Sequence, residues 1–535
     1  MRPGLIAALA IVAFLLGNLV DGPGAATSVA AEDLRVDNAA SAPVVPQRPT
    51  ESATRPKRRS DPRLTGKIRA LLEDAVEDAE RGSRGVATRA NTFISVHVQE
   101  LGTDGALVSI GSERSVRPAS NMKLATSAAA LVSLGGDWRF TTAFEAGGPI
   151  EHGVLNGDLI VRAGGDPLYD DGRHGDVGHL LAPVVRELAA QGITRVTGDL
   201  VLDEGHYLEP GPGPAWPDKS QHWEDYCALA AGFTANGGCV TALITPTRSG
   251  REATRRVRPE HLDLPLRGRV KTGTPKSRLD VRIGATVAAV TVTGSIPEGL
   301  EAREYRFSHP DPVKLFGSCV VGALRDGGVR IDGEVVRRRN VPAGKSLAKL
   351  TSPLLPLLKP INTDSDNAIA DQVFFALGQT VAGEGTRSGG ARAVETALER
   401  LGLETEGWRQ VDGSGLSRDN RITALQLTAL LDAVLTLDPS IAQAYVASLA
   451  VAGRTGTLSE RMRGTPADNH VRAKTGWIRG TSALSGVAET EGGRLLVFSI
   501  LIDYPAPAGG LNTSVFKPLQ DAICIELVDW KDTVR

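Results

Sequence analysis

Ser120-Asn121-Met122-Lys123 heads an Ala/Leu-rich run that reaches Leu134. The run has helical character, so residues 120 and 123 share a face one turn apart. The lysine amine can then reach the serine hydroxyl. Serine is a poor nucleophile until its proton is removed, and lysine removes it only when substantially neutral. A helix amino terminus, partial burial and a second nearby cation all favour the neutral amine. Taken alone, the pair has a blander reading: Ser120 caps a helix and Lys123 is solvated.

Two further motifs give the pair its weight. Ser365-Asp366-Asn367 precedes Ile369, Val373, Phe374 and Leu377, which recur on one helical face. Local capping is the alternative role there. Lys474-Thr475-Gly476 precedes the strand-like Ala483–Ala488, which a Thr490-Glu-Gly-Gly hairpin joins to Leu495–Leu501. That context fits an edge strand beside a cleft. Lys474 supplies the second cation, and with Thr475 it suits a free carboxylate. Gly476 lets ligand backbone come close. The backbone N–H groups of Ser120 and Trp477 are candidate oxyanion donors. Ser365 would pass a proton between Lys123 and a leaving nitrogen, and the Asn367 amide would hold the substrate's peptide group. Ser-x-x-Lys, Ser-x-Asn and Lys-Thr-Gly in this order form the signature of penicillin-binding proteins and class A β-lactamases. A second copy, Lys271-Thr272-Gly273, follows Arg267 and Arg269, precedes Pro275 and lacks a flanking hydrophobic strand of suitable length, so it reads as a decoy.

The rest of the chain sets the frame. Its 535 residues exceed one ordinary core. A net charge of −2 argues against a dedicated nucleic-acid binder. Four cysteines exclude a disulfide scaffold and an iron–sulfur protein. Leu64, Ile68, Leu71, Leu72, Ala75, Val76 and Ala79 predict a helix closed by Gly82. Ile94, Val96 and Val98 alternate with Ser95, His97 and Gln99, which predicts a strand with one wet face and His97 at the surface. Residues 105–114 predict a hairpin and second strand. From about 145 to 340 short β-rich pieces alternate with turns, as in Gly157-Asp-Leu-Ile-Val, Gly198-Asp-Leu-Val-Leu and Val281–Thr293. Arg251, Arg255, Arg256, Arg258 and Arg337–Arg339 read as loop surface, with a polyanionic wall polymer as the alternative. Helical texture then returns with Leu425, Leu427, Leu430, Leu431 and Val434. It ends in an amphipathic stretch holding Val515, Leu519, Ile523 and Leu527. The expected fold class is α/β (α+β): an antiparallel sheet flanked by helices, in parts 61–144 and 345–535. A large, mostly β insertion of one or two modules, 145–344, splits it.

Arg2, the apolar run Leu5–Leu16 and small residues up to Ala31 read as a signal peptide or N-terminal anchor over 1–31. Residues 32–60, with Lys57-Arg58-Arg59, read as a disordered linker. The expected location is extracytoplasmic: secreted, periplasmic or in the cell-wall space, with a membrane tether if the segment is kept. Disulfides are permitted there. Cys227 and Cys239 are the closest pair, but Cys319 and Cys524 leave three pairings open.

The chain resembles the penicillin-binding protein 4-type D-alanyl-D-alanine carboxypeptidases/endopeptidases, the low-molecular-mass class C penicillin-binding proteins. The resemblance spans roughly Phe93 to Tyr504 and rests on the motifs above. Further support comes from Gly164-Gly-Asp-Pro, Gly198-Asp-Leu-Val-Leu-Asp, Ser352-Pro-Leu, Asp412-Gly-Ser-Gly-Leu-Ser and Ala452-Gly-Arg-Thr-Gly-Thr-Leu. The segment around Trp223, Asp225 and Tyr226 resembles the family's aromatic segment. The resemblance implies a β-lactamase/transpeptidase-like domain with Ser120 acylated, Lys123 its base, and Ser365, Asn367, Lys474, Thr475 and Gly476 completing the site. It implies peptidoglycan stem peptides as substrate, β-lactam antibiotics as covalent inhibitors, and no metal or organic cofactor. A β-lactamase or esterase with the same serine–lysine site, or a catalytically weak wall-binding protein, are the alternatives. A metallopeptidase has no His-Glu-x-x-His here, and His174 and His179 fall in a Gly-rich loop. The oligomeric state stays open.

Overall fold

The computed structural model describes residues 55–170, 175–261, 264–286 and 289–532. The expected signal segment, most of the expected linker and His174 lie outside them. The chain divides into two compact units. One runs to Asp137 and resumes over Thr396–Trp408 and from Ile422 onward. The other holds Trp138–Glu395 and Arg409–Arg421.

The first unit is built on a six-stranded antiparallel sheet. Its order is Ala450–Val451, Val471–Ile478, Thr481–Glu489, Leu495–Asp503, Phe93–Glu100, Val108–Ile110. Strand alternation sends Leu484, Phe498, Ile500, Val96 and Val98 to one face, where they form a core with the helices Pro62–Gly82 and Lys517–Val528. The opposite face carries Lys474, Ser485, Ser499 and His97, in register across four strands. The helix Ala424–Leu435 and the 3-10 turn Ala119–Asn121 cover it. The expected helices, hairpin and strands of this unit are therefore present.

His97 is a correction. It is 4% exposed, and its Nδ1 lies 2.5 Å from Thr428 Oγ1 on the Ala424–Leu435 helix. The sheet face taken as wet is covered. Burial holds the imidazole down at about 4. Between about pH 6.5 and that value the unfolded chain binds a proton that the folded chain refuses. Stability is thus full above about 6.5 and falls as the pH drops toward 4, by at most about 3 kcal/mol. His97→Gln should flatten this loss in urea midpoints measured at neutral pH and near pH 4. Parallel curves for the two proteins would refute it.

The chain ends of this unit are tied together. Asp61 caps the first helix through Arg63 N (2.9 Å) and Leu64 N (3.0 Å), and accepts from Trp530 Nε1 (2.9 Å). Arg58 N donates to Asp104 O (2.7 Å), and Asp104 N to Pro56 O (2.9 Å). Arg58 and Arg494 each pair with both Glu100 and Asp532, at 2.5 to 3.0 Å, closing a ring of four charges.

The second unit packs one large core between sheets and helices. Its five-stranded sheet has the order Val335–Arg338, Leu200–Asp203, Leu159–Arg162, Arg139–Ala146, Lys345–Pro353. A three-stranded sheet joins Thr254–Arg258, Cys239–Thr245 and Arg303–Ser308. The β-rich texture hides two helices, Gly178–Ala190 and Pro312–Asp326, the second capped by Asp311. The β-rich piece Val281–Thr293 spans parts of two antiparallel strands, Asp280–Thr286 and Ala289–Pro297. His179 lies in the first turn of a helix, 2.6 Å from Asp170, not in a loop. All four cysteines are buried thiols, so Cys227 and Cys239 are not bridged. Burial pushes both of those thiols up to about 12, which leaves them inert. Among the described residues no helix is long and apolar enough to cross a membrane.

Candidate active site

In the first unit the serine sits in a 3-10 turn, Ala119–Asn121, that runs into a helix whose every residue is buried. Alanine-rich sequence allows that: small side chains let the helix be packed on all sides. Tyr445 Oη donates to Leu124 O at 2.9 Å and holds the helix from the flank. Ahead of the turn, Arg117 Nε donates to Asp503 Oδ1 at 3.0 Å and fixes the entering chain to the sheet. Ala119 has φ +48°, a left-handed conformation that costs a non-glycine residue about 1 kcal/mol or more. The strain lies beside Ser120.

Lys123 Nζ donates to Ser120 Oγ at 3.2 Å. The lysine is 0% exposed, while Ser120 is only half-buried. Asn121 ties this turn to the Lys-Thr-Gly strand. Its amide donates to Lys474 O (2.9 Å) and accepts from Ser485 N (3.2 Å) and Ser485 Oγ (2.7 Å). Ser485 Oγ lies 2.9 Å from Ser499 Oγ, which extends the buried polar row across the sheet. Lys474 is also 0% exposed, and its Nζ donates to Thr475 O at 2.9 Å. Thr475 Oγ1 lies 2.9 Å from Thr457 Oγ1, a residue of the Ala452–Leu458 motif.

The strand edge is open where a ligand backbone would lie. Ala450–Val451 pairs only with Ala473 and Arg472, so from Lys474 onward that edge has no strand neighbour among the described residues. An extended peptide can add there as a further strand. Trp477 beyond it is 59% exposed. Gly476 is required by a close approach: a Cβ there would lie 2.8 Å from Pro118 O and 3.1 Å from the Asn121 side chain. Gly476→Ala is expected to push the serine turn off the strand and slow acylation by penicillin roughly 10- to 100-fold with little change in Tm. An unchanged acylation rate in stopped-flow would refute the contact's importance.

Ser365 and Asn367 lie in the second unit. Asp366 caps the helix Asn367–Ala382 through Ile369 N at 2.9 Å. Ser365 immediately before it has φ +69°, again strained for a non-glycine residue. Asn367 Nδ2 donates to Tyr226 O at 2.8 Å. A cavity of about 310 Å³ is lined by Tyr169, Asp225, Tyr226, Arg306 and the segment Asp364–Asn367. Arg306 forms an ion pair with Asp366 and stands 5.5 Å from the Tyr169 ring centroid. Burial pushes the Asp225 carboxyl up, and Arg306 partly offsets this. The expected residues thus fall into two groups: Ser120, Lys123, Lys474, Thr475, Gly476 and Trp477 in one unit, Ser365 and Asn367 in the other.

Sequence reasoning assigned no role to Asn121, Ser485, Ser499 or Thr457. For Thr457 a signal existed in the quoted motif. For Asn121 none did, because its role depends on a carbonyl more than 350 residues away.

Residues 87–519 match the family model described as the D-Ala-D-Ala carboxypeptidase 3 (S13) family. A D-alanyl-D-alanine carboxypeptidase of Actinomadura sp. (strain R39) is 33% identical over 485 residues, covering 86% of this chain and 84% of that protein. A D-alanyl-D-alanine carboxypeptidase of Haemophilus influenzae is 29% identical over 395 residues, 71% of this chain and 79% of that protein. The crystal structure of penicillin binding protein 4 from Haemophilus influenzae aligns with a TM-score of 0.69 at 25% identity, over 85% of this chain and 99% of that one. With a serine in a 3-10 turn touching a lysine of the helix that follows, beside an open strand edge, the chain belongs to the penicillin-binding protein 4-type D-Ala-D-Ala carboxypeptidases/endopeptidases of the S13 peptidase family.

Proposed function

We propose that this serine-type D-Ala-D-Ala carboxypeptidase/endopeptidase of peptidoglycan works through Ser120 as its acylated nucleophile and Lys123 as the base. The observation that carries the assignment is the 3.2 Å contact between a wholly buried amine and a half-exposed hydroxyl. Burial favours the neutral amine, which is the form able to accept the proton. Ser120 Oγ attacks the carbonyl carbon between two D-alanines, or that of a D-centred cross-link, as its proton passes to Lys123. The N–H groups of Ser120 and Trp477 hold the oxyanion. The C–N bond then breaks, and the leaving amine takes its proton through Ser365. Water resolves the acyl-enzyme and restores the hydroxyl. Asn367 holds the substrate's peptide group, while Lys474 and Thr475 hold its free carboxylate. The roles of Ser365, Asn367, Lys474, Thr475 and the two N–H donors rest on the motif order; for Ser120 and Lys123 their contact supports the motif as well.

A β-lactam offers the same carbonyl and carboxylate, so it acylates Ser120 and leaves slowly. The Haemophilus influenzae relative has been crystallised in complex with a β-lactam, which supports this. Peptidoglycan lies outside the cytoplasmic membrane, and the chain acts there; attachment through residues 1–31 belongs to the same proposal.

The test is release of D-alanine from a soluble stem pentapeptide, repeated after penicillin treatment, with peptide mapping of the adduct. Release that stops once a single adduct forms on the peptide holding Ser120 is expected. No release and no adduct would leave the wall-binding alternative. An adduct that turns over within seconds would make the chain a β-lactamase.

A further inference from the structure

The Lys271-Thr272-Gly273 copy, unused by the catalytic site, belongs to an unusual sheet face. The strand Ala289–Pro297 is central there. Leu266–Arg267 and Val270–Gly273 run parallel along one side of it, and Asp280–Thr286 runs antiparallel along the other. Lys-Thr-Gly here lies on the short strand Val270–Gly273. Val290, Val292, Ile296 and Val270 point into the core, and Thr272 is 1% exposed. The other face is open. Thr291, Thr293 and Ser295 form a hydroxyl row along it. Arg267 stands abreast of Thr291, Arg282 of Thr293, and Lys271 and Asp280 of Ser295. Arg267 and Lys271 flank the row about 13 Å apart, four strand residues.

The charge here is concentrated rather than mixed. From Arg248 to Arg282 there are eleven Lys and Arg against four Asp and Glu, in a chain whose net charge is −2. The two carboxylates at this face are already engaged, Glu252 with Arg269 (3.2 Å) and Asp280 with Arg282 (3.0 Å). Arg267 and Lys271 have no carboxylate in ion-pair range among the described residues and point to solvent. A merely solubilising surface would intersperse both signs. Cations flanking a row of hydroxyl donors match the oxygens of successive phosphates. No aromatic side chain stands on this face, so a single-stranded nucleic acid would find no platform for its bases.

We propose that this face docks the enzyme on a phosphodiester-linked anionic polymer of the cell wall and so holds it beside its substrate. The inference goes beyond the catalytic assignment and does not depend on Ser120. The test uses the intact protein with poly(glycerol phosphate) as probe, and with an uncharged dextran and single-stranded DNA as controls. Neutralising two to four phosphates should weaken binding roughly 10- to 50-fold between about 50 mM and about 200 mM salt. The double variant Arg267→Glu, Lys271→Glu should bind at least about tenfold more weakly at the lower salt while releasing D-alanine from soluble pentapeptide at the wild-type rate. The charge-conserving pair Arg267→Lys, Lys271→Arg should retain binding. Binding no stronger than to dextran, an unaffected double-glutamate variant, or equal affinity for single-stranded DNA would each overturn the proposal. Absent D-alanine release with intact polymer binding would instead strike the catalytic assignment.

Discussion

Ser120→Ala is expected to leave a folded protein that forms no penicillin adduct and has lost kcat/KM by about 10⁴-fold or more. The large number follows from the site's economy. Lys123 Nζ donates to the Ser120 hydroxyl, and every other expected contribution acts on an acyl transfer that needs that oxygen. Without it the oxyanion donors and strand edge can only orient a substrate for attack by water, and serine-enzyme variants of this kind retain little more than that residue of activity. The substitution removes one half-exposed oxygen, so Tm should stay within a few degrees. Intact-mass spectrometry after penicillin treatment reads the result. An adduct that survives the substitution would overturn the assignment of the nucleophile.

Asp412→Ala should have the largest effect on stability. Asp412 is 1% exposed, and its carboxylate collects four donors. Oδ1 accepts from Gly415 N (2.8 Å) and Asn420 Nδ2 (2.8 Å), and Oδ2 accepts from Ser417 N (2.7 Å) and Trp216 Nε1 (3.1 Å). Alanine would strand several buried donors at once. At about 1 to 3 kcal/mol for each unsatisfied group, with partial relaxation, the loss should be roughly 3–5 kcal/mol. That corresponds to a fall of roughly 6–15 °C in the unfolding transition. Asp412→Asn, which keeps one acceptor, should lose about half as much. A scanning-calorimetry transition that moves less than a few degrees for the alanine variant would contradict this account.

Where local chemistry repeats at a fixed spacing, the sequence was legible. The serine helix, the start of the Asn367–Ala382 helix and the Thr481–Glu489/Leu495–Asp503 hairpin follow from short-range periodicity and turn residues. His97 misled because period-two alternation says which side of a strand a residue faces, never whether a helix covers that side. The Pro312–Asp326 helix was hidden by its glycines and β-branched residues, although Asp311-Pro312 is a good start signal. Cys227 and Cys239 show that nearness in sequence does not by itself make a disulfide. The left-handed turn at Ala119 left no trace at all, since nothing about alanine announces it; surrounding packing imposes it.

The ring of Arg58, Glu100, Arg494 and Asp532 has a mechanical consequence. Traction on the chain ahead of residue 55 meets first Arg55, which pairs with Asp432, and then Arg58, next to the Arg58–Asp104 backbone bond. There the load divides over two carboxylates, each gripped in turn by Arg494. One broken contact therefore leaves the others closed, and tension is passed sideways into the strands Phe93–Glu100 and Leu495–Asp503 instead of peeling the first helix from its end.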